Sequence, residues 1–263
     1  VDRCRLAVVV LVGVVFAVAQ GGGGGGGPLN AIAKAAEVTQ REPGGRAVIN
    51  ATVKSTTTPE GITETGPVVF DDSGRSRGTF TIKGNTNGRE VKLTTIADGT
   101  KTYTSSDAFD SLPEGKKWME VDLSSAVKGA DSSPPVAGGP QEGLEVLERV
   151  QGAEEIGKEE VNGVPTTHYR GTMPYPEEVF GVKTVHVSAL HVDVWIDAQD
   201  RVRRMQVAVT GSLNEDEGAV TTEMTMDYVE FGRVPEIKVP NPEEVFNATG
   251  EIEAKVQSAA EGN

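Results

Sequence analysis

The sequence predicts an α+β protein built on one large, curved antiparallel β-sheet, with helices on one face. Three observations carry this prediction. Apolar and polar residues alternate with a period of two through most of the chain, the pattern of strands with one covered face. Only two short stretches carry apolar residues at helical spacing. The composition is rich in threonine, valine and glycine, with aromatics at only 5%, a mixture that favours strands and turns over long helices. Short turns between successive strands make neighbours antiparallel, and many strands with few helices give one sheet covered on one face.

Ahead of the first element, Arg3 and Arg5 precede an apolar run from Leu6 to Ala19. That run is shorter than the ~20 residues a spanning helix needs. With Ala17-Val18-Ala19 at its end it has the three parts of a secretory signal, so residues 1–19 are expected to be cleaved before Gln20. Gly21 to Gly27 cannot contribute side chains to a core, and residues 20–27 are read as a tether. The folded domain is expected over 28–240, with 241–263 as a C-terminal tail.

The domain opens with a helix at Pro28, a residue favoured at a first helical position. Leu29, Ile32, Ala33 and Ala36 form its apolar stripe, and Pro43-Gly44-Gly45 ends it. Strands follow. Ala47, Ile49, Ala51 and Val53 alternate with a mostly polar set. Phe80 and Ile82 alternate with Thr79, Thr81 and Lys83, and Val91 and Leu93 belong to the next strand. Met119, Val121 and Leu123 alternate with Trp118, Glu120 and Asp122. Lys128 to Pro140 is a Gly, Ser and Pro-rich loop, expected to serve as a gate beside a cavity or as a linker. Leu144, Leu147 and Val150 then mark a second short helix that stops at Gly152. Strands return at Val164–Met173, at Leu190/Val192/Val194/Ile196, at Met205/Val207/Val209 and at Val220/Thr222/Met224/Met226/Tyr228.

A net charge of −14 repels phosphate backbones and anionic headgroups, so nucleic acid is not an expected partner. Cys4 is the only cysteine, which leaves no internal disulfide and no cysteine-based zinc site; neither a metal nor a cofactor is expected. Gly74-Arg75-Ser76-Arg77-Gly78 matches the G-x-S-x-G pattern of serine hydrolases. That motif needs a helix after the serine, and here a strand, Thr79-Phe80-Thr81-Ile82, follows; a glycine-bounded turn is the plainer reading. His168, His186 and His191 show no ligand spacing and read as polar surface residues. Asn50-Ala51-Thr52 and Asn247-Ala248-Thr249 fit the glycosylation sequon, to which no role is assigned. Met205, Met224 and Met226 beside Tyr228 are core residues, or together the adaptable lining of a lipid cavity.

From Lys117 onward the sequence resembles the mycobacterial LppX/LprG-type lipoproteins and, more distantly, the LolA-type lipoprotein carriers. The pieces are Lys117-Trp118-Met119-Glu120-Val121-Asp122-Leu123, Gly143-Leu144-Glu145-Val146-Leu147, the run from Glu159 through Asn162-Gly163 to Gly171, and Val192-Asp193-Val194-Trp195-Ile196-Asp197 with its return Arg201-Val202-Arg203-Arg204-Met205. Their order and spacing carry the resemblance, which spans most of residues 28–235. It implies a half-barrel sheet wrapped around helices and an apolar cavity that holds acyl chains of lipids or glycolipids crossing the cell envelope. The expected lining is Leu29, Ile32, Ile49, Val53, Phe80, Ile82, Leu93, Met119, Leu144, Leu147, Val194, Ile196, Met205, Val207, Met224, Met226 and Tyr228. No catalytic residues are needed, a membrane-transport protein is a candidate partner, and a monomer is expected. The family places a lipidated cysteine directly after the export signal; here Ala19-Gln20-Gly21 occupies that place, which favours a secreted form or one held by an uncleaved signal. The alternatives are an envelope sensor or protein-interaction module on the same fold and, more remotely, an esterase using Ser76.

Overall fold

The computed structural model describes residues 27–55, 58–84, 90–109, 112–122, 124, 140, 142–173, 178–179, 182–183, 190–211 and 220–260. The expected export signal, the gate loop short of Pro140 and His186 lie outside these residues.

Strand alternation builds a single curved, 12-stranded sheet. In chain order the strands are β1 (Gly44–Ser55), β2 (Thr58–Asp71), β3 (Ser76–Lys83), β4 (Val91–Asp98), β5 (Lys101–Ser106), β6 (Trp118–Asp122), β7 (Gln151–Val161), β8 (Val164–Met173), β9 (Glu178–Val179), β10 (Val182–Lys183), β11 (Leu190–Asp197), β12 (Val202–Gly211), β13 (Val220–Phe231) and β14 (Val245–Asn247). Across the sheet the order is β14-β6-β5-β4-β3-β2-β1-β13-β12-β11-β8-β7, with β9 and β10 a separate pair. Two meanders, β1–β6 and β7 to β13, are therefore stitched together by the antiparallel β1–β13 pairing, in which Ile49 faces Met226 and Ala51 faces Met224. All neighbours are antiparallel except β14, which runs parallel to β6.

Four strands of the 12-stranded sheet escape the alternation test, each for a physical reason, as do the two-residue β9 and β10. β2 carries Pro59, Gly61, Gly66 and Pro67, residues that ordinarily argue against a central strand. β5, Lys-Thr-Tyr-Thr-Ser-Ser, is short and mostly polar. β7 lies at the sheet edge and is largely exposed and charged, as edges that must not recruit other chains usually are. β14 is only three residues long.

The first helix, α1 (Pro28–Gln40), covers one end of the sheet, packing on β7, β11 and β12. It is turned slightly from the expected stripe: Ile32, Ala35, Ala36 and Thr39 are buried, Leu29 is partly so, and Ala33 faces solvent. Thr39 fixes this setting. Its hydroxyl donates to the Ala35 carbonyl at 2.7 Å and accepts the β12 amide of Val202 at 2.8 Å. The segment at 144–150 forms a 3₁₀ helix, Glu142–Arg149, beside α1; its end enters a dent over Gly171, where a Cβ would lie 2.3 Å from Val150 Cγ1.

Within the expected tail, residues 242–260 form a 3₁₀ turn, β14 and a helix. Beyond β13 the chain crosses the outer face, where Ile237 is buried with Ile96 and Tyr103. The Ile237 amide donates to Asp71 Oδ2 at 2.8 Å. After β14, Ala248 and, on helix α2 (Thr249–Ala260), Ile252 pack against Val121 on the inner face of β6. The sequence offered only isolated apolar residues here, and their burial depends on distant partners.

Candidate functional site

Alternation places Ala47, Ile49, Ala51 and Val53 of β1 on the face that bears the helices. The registers extend that face through Ile62, Glu64, Val68 and Phe70 of β2, Phe80 and Ile82 of β3, and Val91 and Leu93 of β4. On the other side it continues through Met224 and Met226 of β13, Met205 and Val207 of β12, and Val192 and Val194 of β11. One cross-strand row reads Val91, Ile82, Glu64, Ala51, Met224, Val207, Val192.

Burial along this face is uneven. Towards β11 and β12, Val192, Val194 and Met205 have no exposed surface, lying in a cluster with Ile32, Leu144, Leu147, Ile196, Val207, Met226 and Tyr228. Towards β3 and β4, Phe80, Ile82, Leu93, Val68 and Val91 form a second buried cluster. Between them, in the middle of the sheet, Ile49, Ala51, Val53, Ile62 and Glu64 remain half-buried. Central strands are ordinarily the best covered, so a strip of partly solvated apolar side chains there, walled by buried clusters on both sides, has the form of a groove. At ~3.4 Å per residue, the strip from Ile49 to Val53 is about 14 Å long.

Sixteen of the seventeen expected lining residues lie in or against these clusters or in another core cluster, and one does not. Leu29 and Ile49 are partly buried against the first cluster, and Ile49 also touches the second, joining the two. Met119 belongs elsewhere, packing with Val121, Ala248, Phe246 and Ile252 under α2. Val53 joins no cluster and sits at the open end of β1. Tyr228 is buried with its hydroxyl donating to the Pro140 carbonyl at 2.5 Å, which ties the end of the 128–140 loop to the sheet, and burial pushes its hydroxyl pKa well up. Sequence reasoning missed Ile62 and Glu64 because β2 was not recognised. The signal was present in the even-numbered run Ile62, Glu64, Gly66, Val68, Phe70.

Glu64 is the unusual member. Protein fills most of the space around its carboxyl, and this burial raises its pKa from 4.5 to about 7. Among the described residues no hydrogen-bond or ion-pair partner meets it.

The hydrolase-like motif serves the fold. Gly74 adopts φ +80° in a turn that Asp71 organises by accepting the Ser73 and Arg75 amides and the Ser73 hydroxyl. Ser76 then starts β3 and is buried. Gly78 seats the Phe80 ring, whose edge lies 2.4 Å from where a Cβ would be. His168 and His191 lie on β8 and β11, with β11 five strands along the sheet from β3, so neither strand neighbours the one that carries Ser76.

The surface reading of His168 is corrected. The ring is buried, stacked on Trp195 at a centroid distance of 4.1 Å. Its Nδ1 lies 3.0 Å from Glu159 Oε1 and its Nε2 2.6 Å from Asp193 Oδ1. Arg170 pairs with Asp193 at 2.9 Å, and the Trp195 indole donates to Glu159 at 2.8 Å. This lattice clamps β7, β8 and β11 on the outer face. The described residues contain no group of three or more potential metal ligands.

No protein-family model matches the sequence, and no curated protein is significantly similar to it. Solved structures similar to the chain cover about four fifths of it. The chain is similar to LprF from Mycobacterium bovis, at 15% identity over 82% of this chain and 96% of that one, with a TM-score of 0.41. It is similar to the lipoprotein LppX from Mycobacterium tuberculosis, at 16% identity over 80% and 97%, with a TM-score of 0.42. A LolA superfamily protein from Nitrosomonas europaea aligns at 9% identity over 80% and 94%, with a TM-score of 0.32.

Proposed function

We propose that the protein is an exported, non-enzymatic carrier that holds acyl chains of lipids or glycolipids in the inner-face groove. The observation that supports this reading is the half-buried apolar strip Ile49, Ala51, Val53 and Ile62 at the centre of the sheet, bordered by Met224 and Phe80. Each methylene moved from water into such a groove gains ~0.8 kcal/mol, so long chains bind without many polar contacts. Methionine walls adapt to chains of irregular shape. The expected signal at 1–19 would deliver the carrier outside the cytoplasm, to act there as a monomer with a membrane-transport protein as partner.

The test is lipid extraction from the purified, exported protein followed by mass spectrometry, with uptake from vesicles by delipidated protein. Acylated molecules in the extract and saturable uptake are expected. Protein that carries no lipid and takes up none would favour the interaction-module alternative.

A further inference from the structure

Among the described side chains, Glu64 is the one carboxylate or cation on the inner face of β13, β1, β2, β3 and β4, the only other titratable group there being the buried Tyr228 hydroxyl bonded to Pro140. Its cross-strand neighbours are Ala51 on β1 and Ile82 on β3, with Met224 and Val91 beyond them and Ile62 and Gly66 along its own strand. None of these titrates. Lys54 on β1 and Lys83 on β3 point to the opposite face by alternation, as do Asn50, Thr52 and Thr65. Glu223 and Asp227 on β13 lie on that outer face too, with Asp227 held by Arg204. The carboxyl therefore stands alone in an apolar wall, mostly surrounded by protein yet still reached from the groove.

Glu64 has no described protein partner and keeps only part of its water, which is costly for its charged form. A ligand lying along the groove can supply a partner. In its uncharged form a carboxyl is both donor and acceptor, and so is an alcohol, so the two form a reciprocal pair with no charge to desolvate. A phosphate would meet the same carboxyl with no cation among the described residues of these strands' inner face to neutralise it, in a chain already at −14.

We propose that Glu64 is the polar anchor of the groove and selects acyl lipids carrying an uncharged hydroxyl beside their chains over lipids carrying phosphate at that place. This rests on the acyl-chain reading above. Closing an acyl chain over Glu64 removes its remaining water and favours the protonated carboxyl. Binding of the hydroxyl lipid therefore weakens as pH rises, in agreement with the upward pKa shift that burial already causes.

The experiment uses delipidated protein and a pyrene-labelled hydrocarbon, a probe with no headgroup, displaced by dioleoylglycerol or by dioleoyl phosphatidic acid at pH 5.5 and 8.5. Wild type is expected to prefer dioleoylglycerol by about tenfold or more, the equivalent of one good polar contact. Its dioleoylglycerol affinity should fall between pH 5.5 and 8.5. Glu64→Gln keeps a donor and an acceptor, so it should hold dioleoylglycerol with no pH dependence. Glu64→Leu should bind the probe at least as well as wild type and lose most of the preference. Equal preference in wild type and Glu64→Leu, or a pH dependence that survives in Glu64→Gln, overturns the anchor while leaving acyl binding intact. Failure of wild type to bind the hydrocarbon probe overturns the acyl-chain reading itself.

Discussion

The β11–β12 region and the β1–β2 region carry the same alternation on the same face of one sheet, and they end differently. Val192, Val194 and Met205 are fully buried beneath α1 and the 3₁₀ helix, whereas Ile49, Ala51 and Ile62 keep part of their surface. Alternation decides which face is apolar. Towards β11 and β12 the helical cover turns that face into core. α1 lies on β7, β11 and β12, and α2 lies on β6, so the two helical covers sit towards opposite ends of the sheet.

Truncation should separate the two regions most strongly. Met205→Ala removes a fully buried side chain and should cost about 2–5 kcal/mol in urea unfolding, whereas Val53→Ala at the half-open end of β1 should cost less than about 1 kcal/mol. Similar costs at the two positions would mean that the centre of the sheet is as closed as its flank.

Next in size is Glu64→Gln. The folded state raises the Glu64 pKa from 4.5 to about 7, so between these values it binds more protons than the unfolded chain. Stability is lost as pH rises through that window, by up to about 3 kcal/mol at 1.36 kcal/mol per unit. The variant should therefore be more stable than wild type at pH 8 and indistinguishable from it at pH 4. A constant difference across pH would remove Glu64 as the cause.

Asp71 behaves with the opposite sign. Burial raises its pKa, but the Ser73 hydroxyl and the Ile237, Ser73 and Arg75 amides outweigh that and hold it below its ordinary value. Its contribution is complete above the unfolded value of about 4 and is lost as pH falls below it. Asp71→Ala should cost about 2 kcal/mol at neutral pH by leaving amides unpaired, and should free the Ile237 segment to hydrogen exchange. Unchanged exchange there would show that the outer strap is held by apolar contact alone.

The smallest effect on stability, and the largest on ligand, is expected for Ala51→Trp. Its ring would enter the groove, so the melting temperature should stay near wild type while acyl uptake is lost. The same enlargement at Val194 enters a filled core and should destabilise by about 1–3 kcal/mol. Unfolding of Ala51→Trp would place Ala51 in that core too.

Much of this was legible in the sequence. The strands at 47–53, 79–83, 190–197 and 202–211 follow from alternation, as does the inward direction of Ile49, Phe80, Val194 and Met205. β2 was hidden by its prolines and glycines, and with it Ile62 and Glu64. The burial of Ile237 and Ile252 could not be read locally, because their partners Ile96, Tyr103 and Val121 lie more than a hundred residues away. The full burial of β11 and β12 was equally invisible, since it depends on where α1 settles and not on the strands it covers.

The most direct test of a groove on β1 and β2 is photo-crosslinking with a diazirine-bearing acyl chain, followed by peptide mapping. The account predicts label on peptides from residues 44–71 and from β13 around Met224, with little on 190–211. Label concentrated on β11, β12 or α1, or no saturable label at all, would contradict it.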